Sequence, residues 1–197
     1  MIRLRARSFA KDEEASATIE FLLVFLAFMG MMLFVIETSL YLFYMASLEK
    51  AAEAGARAAV VSQPVVANFT TTLQPDDGIR GESCAAGADV CRDPDPFGGP
   101  PTCNGRTGIN CNTARLQRLV DHMRHYNGAI TRRNVTVVYD EVGIGFAGGP
   151  NVPMVTVRID RMPFRTGIFG LLLENMPNGM GTLPARAATM TGEDLAP

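Results

Sequence analysis

The sequence predicts an α+β protein: a long N-terminal transmembrane helix, then a small extracytoplasmic domain with a mainly antiparallel sheet. Three observations lead there. The run Phe21 to Ile36 (FLLVFLAFMGMMLFVI) contains no charged or strongly polar residue. In Val155, Val157 and Ile159, alternating with Thr156, Arg158 and Asp160, apolar and polar residues follow the period of a half-buried strand. Four cysteines, Cys84, Cys91, Cys103 and Cys111, crowd into one stretch rich in Gly, Pro and Asp.

The anchor comes first. After Glu37, Thr38 and Ser39 the apolar run resumes as LYLFYMASL. A spanning helix needs ~20 mainly apolar residues, and this one lacks the polar face of a surface helix. Arg3, Arg5, Arg7 and Lys11 precede it, which keeps the N-terminus cytoplasmic. Tyr41, Phe43 and Tyr44 suit an outer aromatic belt. Glu20 to Tyr41 rises ~32 Å along a helix, close to the ~30 Å hydrocarbon thickness. A cleaved secretory signal is the rival, but its apolar core is usually shorter, ~7–15 residues. Glu37, inside the span, has two open readings: pairing with a partner helix, or snorkelling to the outer interface.

Good helix formers continue beyond the span in SLEKAAEAGARAAVV, with Glu53 and Arg57 spaced i,i+4, until Pro64 ends the helix. One helix from about Ser16 to Ser62 would be on the order of 70 Å long, half of it outside the membrane. Ala51, Ala52, Gly55, Ala58 and Ala59 form a small-residue stripe that admits a close backbone. Its partner is another subunit or the chain's own outer domain. The organisation expected is a leader at 1–15, the helix at 16–63, and an α+β domain at 64–197 containing a disulfide loop at 84–111.

Residues 64–112 read mostly as loop, because Asp93-Pro-Asp-Pro-Phe-Gly-Gly-Pro-Pro cannot hold a regular element. The even number of cysteines, with no Cys-x-x-Cys pair, reads as two disulfides in an oxidising compartment. Three pairings are possible; the local ones, Cys84 with Cys91 and Cys103 with Cys111, are preferred. A helix follows over about Thr113 to Tyr126, capped by Asn112 or Thr113. Its apolar face is Leu116, Leu119, Val120, Met123 and Tyr126, with Arg115, Arg118 and Arg124 solvated. Strands are expected at Val135–Val142 and Val152–Asp160, joined by a long hairpin loop, with a last strand within Leu183–Met190. The apolar stretch Ile168 to Met176 reads as a helical turn lying across the sheet or against lipid.

Chemistry is sparse. His122 and His125, three apart on a helix, have a metal-like spacing, but a solvated face accounts for them. Gly143-x-Gly145-x-x-Gly148 lacks the strand–turn–helix context of a dinucleotide site. Asn68-Phe-Thr70 and Asn134-Val-Thr136 fit the short glycosylation triplet. No residues pair a nucleophile with its base, so no enzyme, cofactor or metal is expected. Eighteen basic against twenty acidic residues give no charge argument for nucleic acid.

These residues together resemble the TadE-like family, minor pilins (pseudopilins) of the tight-adherence, or Flp, pilus system. The likeness lies in Lys11-Asp-Glu-Glu-Ala-Ser-Ala-Thr-Ile-Glu-Phe21, in Glu37 through Tyr41, and in Leu48-Glu-Lys-Ala-Ala-Glu-Ala-Gly-Ala-Arg-Ala-Ala59. More loosely it extends to Val155-Thr-Val-Arg-Ile and Ala187-Ala-Thr-Met190. It is strong over roughly residues 11–60, and the cysteine loop carries no family motif. The resemblance implies cleavage by a prepilin peptidase between Ala15 and Ser16, leaving Glu20 fifth and Phe21 sixth. The family more often has Gly before the cut. Glu20 would then pair with the new N-terminal amine of its own or an adjacent subunit. The resemblance also implies an inner-membrane location with a periplasmic domain. The partners implied are other minor pilins, inner-membrane pilus assembly proteins and membrane lipid. The alternative is a membrane-anchored extracytoplasmic binding module with no pilus role. A larger relative of the system carries a von Willebrand-type domain, whose Asp-x-Ser-x-Ser motif is missing here. The major pilin is much shorter.

Overall fold

The computed structural model describes residues 13–67, 69, 80–83, 100–141, 146–149, 152–164 and 182–192. Cys84, Cys91, Asn68 and the stretch Ile168 to Met176 lie outside them. The elements are α1 (Glu13–Val61), β1 (Thr102–Asn104), α2 (Thr113–Met123), a 3-10 turn (Arg132–Asn134), β2 (Val135–Glu141), β3 (Pro153–Ile159) and β4 (Arg186–Thr191). The architecture is the α+β one expected, a long apolar helix and then a four-stranded antiparallel sheet with one further α-helix.

α1 already includes Glu13 to Ala15, ahead of the expected Ser16, because this stretch contains no breaker. It stops at Val61, just ahead of Pro64, as a ring without an N–H requires. α2 is shorter than expected. Asn112 caps it, its Oδ1 accepting from the Arg115 N–H at 3.2 Å. At its other end the Tyr126 N–H donates to the Met123 carbonyl, a tightened i→i+3 turn. That turn carries Tyr126 off the apolar face and leaves it 51 % exposed. Leu116, Leu119, Val120 and Met123 are buried as expected.

The strands follow the order β1-β2-β3-β4, each pair antiparallel. Val137 sits opposite both Cys103 and Val157, and Val157 opposite Ala188. Period-two alternation therefore puts Val135, Val137, Tyr139, Val155, Val157 and Ile159 on one buried face. The other face is rich in threonine, with the Thr156 and Thr189 hydroxyls 2.9 Å apart. β1 is a strand in a stretch expected to be mostly loop. Three residues are too few to show a period, and its flanks are prolines and glycine. β4 lies within the expected Leu183–Met190 but for one residue, Thr191, past its end. Leu183 instead anchors the approach, its N–H donating to the Met162 carbonyl at 2.8 Å.

The core lies between the inner face of the sheet and two helices. α1 contributes Met45, Leu48, Ala51, Ala52, Ala56 and Ala59 to it; α2 contributes its whole apolar face. The outer half of α1 is thus a structural part of the domain. The small-residue stripe finds its close neighbour within the chain: a Cβ added at Gly55 would come within 2.9 Å of the Met123 sulfur.

Candidate functional site

α1 divides into two halves with different surroundings. It is long and apolar enough to cross a membrane, and its most apolar 18-residue window has a mean hydropathy of 2.6 with none of it buried in the fold. From Ala17 to Ile36 the side chains are exposed, Met29 being half-buried. Glu20 and Phe21 belong to this bare half. Ala15 and Ser16 lie in its first helical turns.

The outer half is gripped along one face. Glu37, Tyr41, Tyr44, Met45 and Leu48 follow at helical spacing on the side turned to the domain. Glu37 is 7 % exposed while its neighbours Val35 and Ile36 are open, so in the folded chain it turns toward the domain. Glu20 and Glu37 are ~26 Å apart along the helix, so the two carboxylates do not form one site. Phe164 packs edge-on against Tyr41, with centroids 5.5 Å apart, and against Tyr44, at 6.3 Å. Farther up, the Asn127 side chain donates to the Ser47 hydroxyl at 2.9 Å across 80 residues of sequence.

The end of α1 is latched. Helix termination leaves carbonyls and a chain reversal to be satisfied. Here Arg115 Nη1 donates to the Pro64 carbonyl at 2.9 Å, the Val65 N–H donates to the Tyr139 hydroxyl at 2.9 Å, and the Asn112 N–H donates to the Val65 carbonyl at 2.8 Å. Arg115 is therefore half-buried at the latch, where solvation was expected. Burial pushes the Tyr139 hydroxyl above its usual pKa, against the opposing effects of the Val65 N–H and the Arg115 charge. Cys103 and Cys111 form one of the expected disulfides, with Cα atoms 4.8 Å apart. It ties β1 to the segment that bridges Val66. The latch was missed in the sequence, although a tyrosine at an inward strand position asks for a hydrogen-bond partner.

Two further features stand apart. His122 and His125 are exposed, with ring centroids 6.2 Å apart. A groove of about 440 Å³ between the end of α1 and α2 is lined by Ala58, Val61, Arg115, Arg118, Leu119 and His122, among others. At the opposite end of the sheet, Arg161 holds a φ of 53°. That backbone costs a side-chain-bearing residue roughly 1–2 kcal/mol. Asn134 Nδ2 supports the corner, donating to the Asp160 and Arg161 carbonyls at 3.3 Å each.

Residues 15–57 match the family model described as TadE-like protein, the family that the sequence resembles. The match falls entirely on α1 and supports a protein associated with the tight-adherence (Tad) pilus. No curated protein and no solved structure matches the chain.

Proposed function

Taking the TadE-like anchor helix as the premise, we propose that this protein is a minor pilin (pseudopilin) that takes part in assembling the tight-adherence pilus at the inner membrane. α1 spans the bilayer with its N-terminus cytoplasmic, and the sheet domain lies in the periplasm. Prepilin peptidase cuts between Ala15 and Ser16. The role is structural, without catalysis or a cofactor. The carrying observation is the contrast along α1 within the matched residues. The domain occupies the outer small-residue stripe, whereas the inner half offers a bare apolar surface to neighbouring pilin helices and membrane assembly proteins. Such packing in lipid rests on close van der Waals contact and on satisfying polar groups. Glu20 supplies the polar group, because a carboxylate at the edge of the hydrocarbon is costly unless paired. The amine freed at Ser16, of its own or an adjacent subunit, is the partner.

The mature N-terminus, read by mass spectrometry with and without the peptidase, tests the processing step. A chain starting at Ser16 only when the peptidase is present supports the reading; an intact leader in both strains refutes it. Glu20→Ala should leave cleavage normal and abolish assembly, and normal piliation in that variant would rule out the pairing. The second reading, an anchored binding module, draws on the groove between α1 and α2. Normal piliation after deletion of the gene would favour it.

A further inference from the structure

The lipid-facing surface of α1 and the surface gripped by the domain overlap in height. Exposed large apolar side chains run along α1 from Ile19 to Phe43, the last of them 75 % exposed. That is ~36 Å of helix against a hydrocarbon thickness of ~30 Å, so Tyr41 to Tyr44 reach the headgroup level. Yet the domain already packs at this height. Phe164 is 5 % exposed and lies on Tyr41 and Tyr44. Pro163 bridges Thr182 beside it. On this placement of α1, Phe164 brings the domain's underside down to headgroup level.

That underside is basic. Val135, Ile159 and Arg186 are in register at this end of the sheet. Arg132 and Arg133 precede β2 in the 3-10 turn, and Arg161 follows β3 in its left-handed conformation. Arg132, Arg133 and Arg161 are exposed and Arg186 is half-exposed. The Arg186 Nε is buried without a hydrogen-bond partner. Among the described residues the carboxylate at this corner, Asp160, lies 4.0 Å from Arg158. Four guanidiniums at the end of the sheet from which the chain runs on to Phe164 match planar, bidentate phosphate recognition, and a basic cluster near an anionic surface is attracted to it.

We propose that the end of the sheet bearing Arg132, Arg133, Arg161 and Arg186 docks on anionic phospholipid headgroups of the membrane that α1 spans, fixing the domain upright on the bilayer. The proposal rests on α1 as a membrane anchor and is independent of the pilus reading. Docking would hold the underside at one depth, and extraction of the subunit from the membrane would have to break it.

The chain has no tryptophan, so one introduced indole reports alone. The full chain with Thr182→Trp, at an exposed site beside Phe164, is reconstituted in phosphatidylcholine vesicles with or without phosphatidylglycerol. Lipids brominated near the headgroup serve as quenchers. Flotation with the vesicles checks the anchor separately. Phosphatidylglycerol should raise lipid quenching about twofold, and Arg132→Glu, Arg133→Glu and Arg161→Glu together should remove the increase. Phe146→Trp, at the far end of the sheet, should stay open to aqueous iodide throughout. Quenching that ignores both phosphatidylglycerol and the arginine substitutions overturns the proposal. So does shielding from iodide that grows with protein density without lipid quenching, which would mean that another protein copy covers this face.

Discussion

The inner and outer halves of α1 are one uninterrupted helix, yet they are built for different surroundings. The inner half carries bulky Leu, Phe, Val and Met around its whole circumference, as a helix surrounded by lipid does. The outer half concentrates Ala and Gly on one face and Glu49, Lys50, Glu53 and Arg57 elsewhere, with Lys50 and Glu53 paired at 2.9 Å. Small residues bring the backbone close to α2 and the sheet, and the charged side faces water. The same secondary structure is long and apolar enough to cross a membrane below and serves as a core element above. What differs is where the apolar volume sits, on the helix or on what packs against it.

This contrast can be broken from the outer side first. Leu48 is fully buried at the centre of the core, and Leu48→Ala should cost ~2–5 kcal/mol of domain stability, read by denaturant unfolding in detergent. Loss of the Cys103–Cys111 bridge should come next. Its separation of eight residues gives a small loop, so Cys103→Ser should cost ~2–3 kcal/mol on the chain-entropy account. An unchanged unfolding midpoint would show that strand pairing alone holds β1.

Tyr139→Phe sharpens the latch. It leaves the Val65 N–H buried without an acceptor, a loss of ~1–3 kcal/mol. The pH dependence carries a sign as well. The folded pKa of Tyr139 is raised, so the unfolded chain releases this proton first, near pH ~10. Its stabilising contribution is complete below that value and is lost as pH rises through the folded pKa. The wild type should therefore lose stability more steeply above pH ~10 than Tyr139→Phe, and parallel curves would place Tyr139 outside the titrating set. The smallest effect on stability belongs to the inner half. Phe25→Ala should shift domain unfolding by less than ~0.5 kcal/mol, because Phe25 is exposed and packs on no part of the core. It should still weaken pilus assembly, and full piliation would remove this face from the packing surface.

Much of this was legible in the residues. Length and apolarity marked a helix able to span a membrane, because bilayer thickness sets the number of residues. Alternation marked β2 and β3, because a sheet with one buried face forces a period of two. Asn112 and Pro64 marked helix ends through a side-chain acceptor and a missing N–H. Other features were not legible. β1 is too short to show a pattern and exists because β2 offers it an edge. Tyr126 falls on the apolar stripe by spacing but leaves it because the helix tightens after Met123. Whether the Ala and Gly stripe met another subunit or its own domain could not be read from α1 alone.

The sequence by itself determined the long apolar helix, the order of the two α-helices and of β2 to β4, and the family likeness of α1, since all three depend on local composition and short-range periodicity. Only the tertiary structure decided that the outer half of α1 lies inside the domain core, that Glu37 turns inward, that Tyr139 and Arg115 latch the helix end, and that four arginines gather at one end of the sheet. Each of these depends on contacts between residues tens of positions apart, and they form because burying shared apolar surface fixes the packing of helix on sheet.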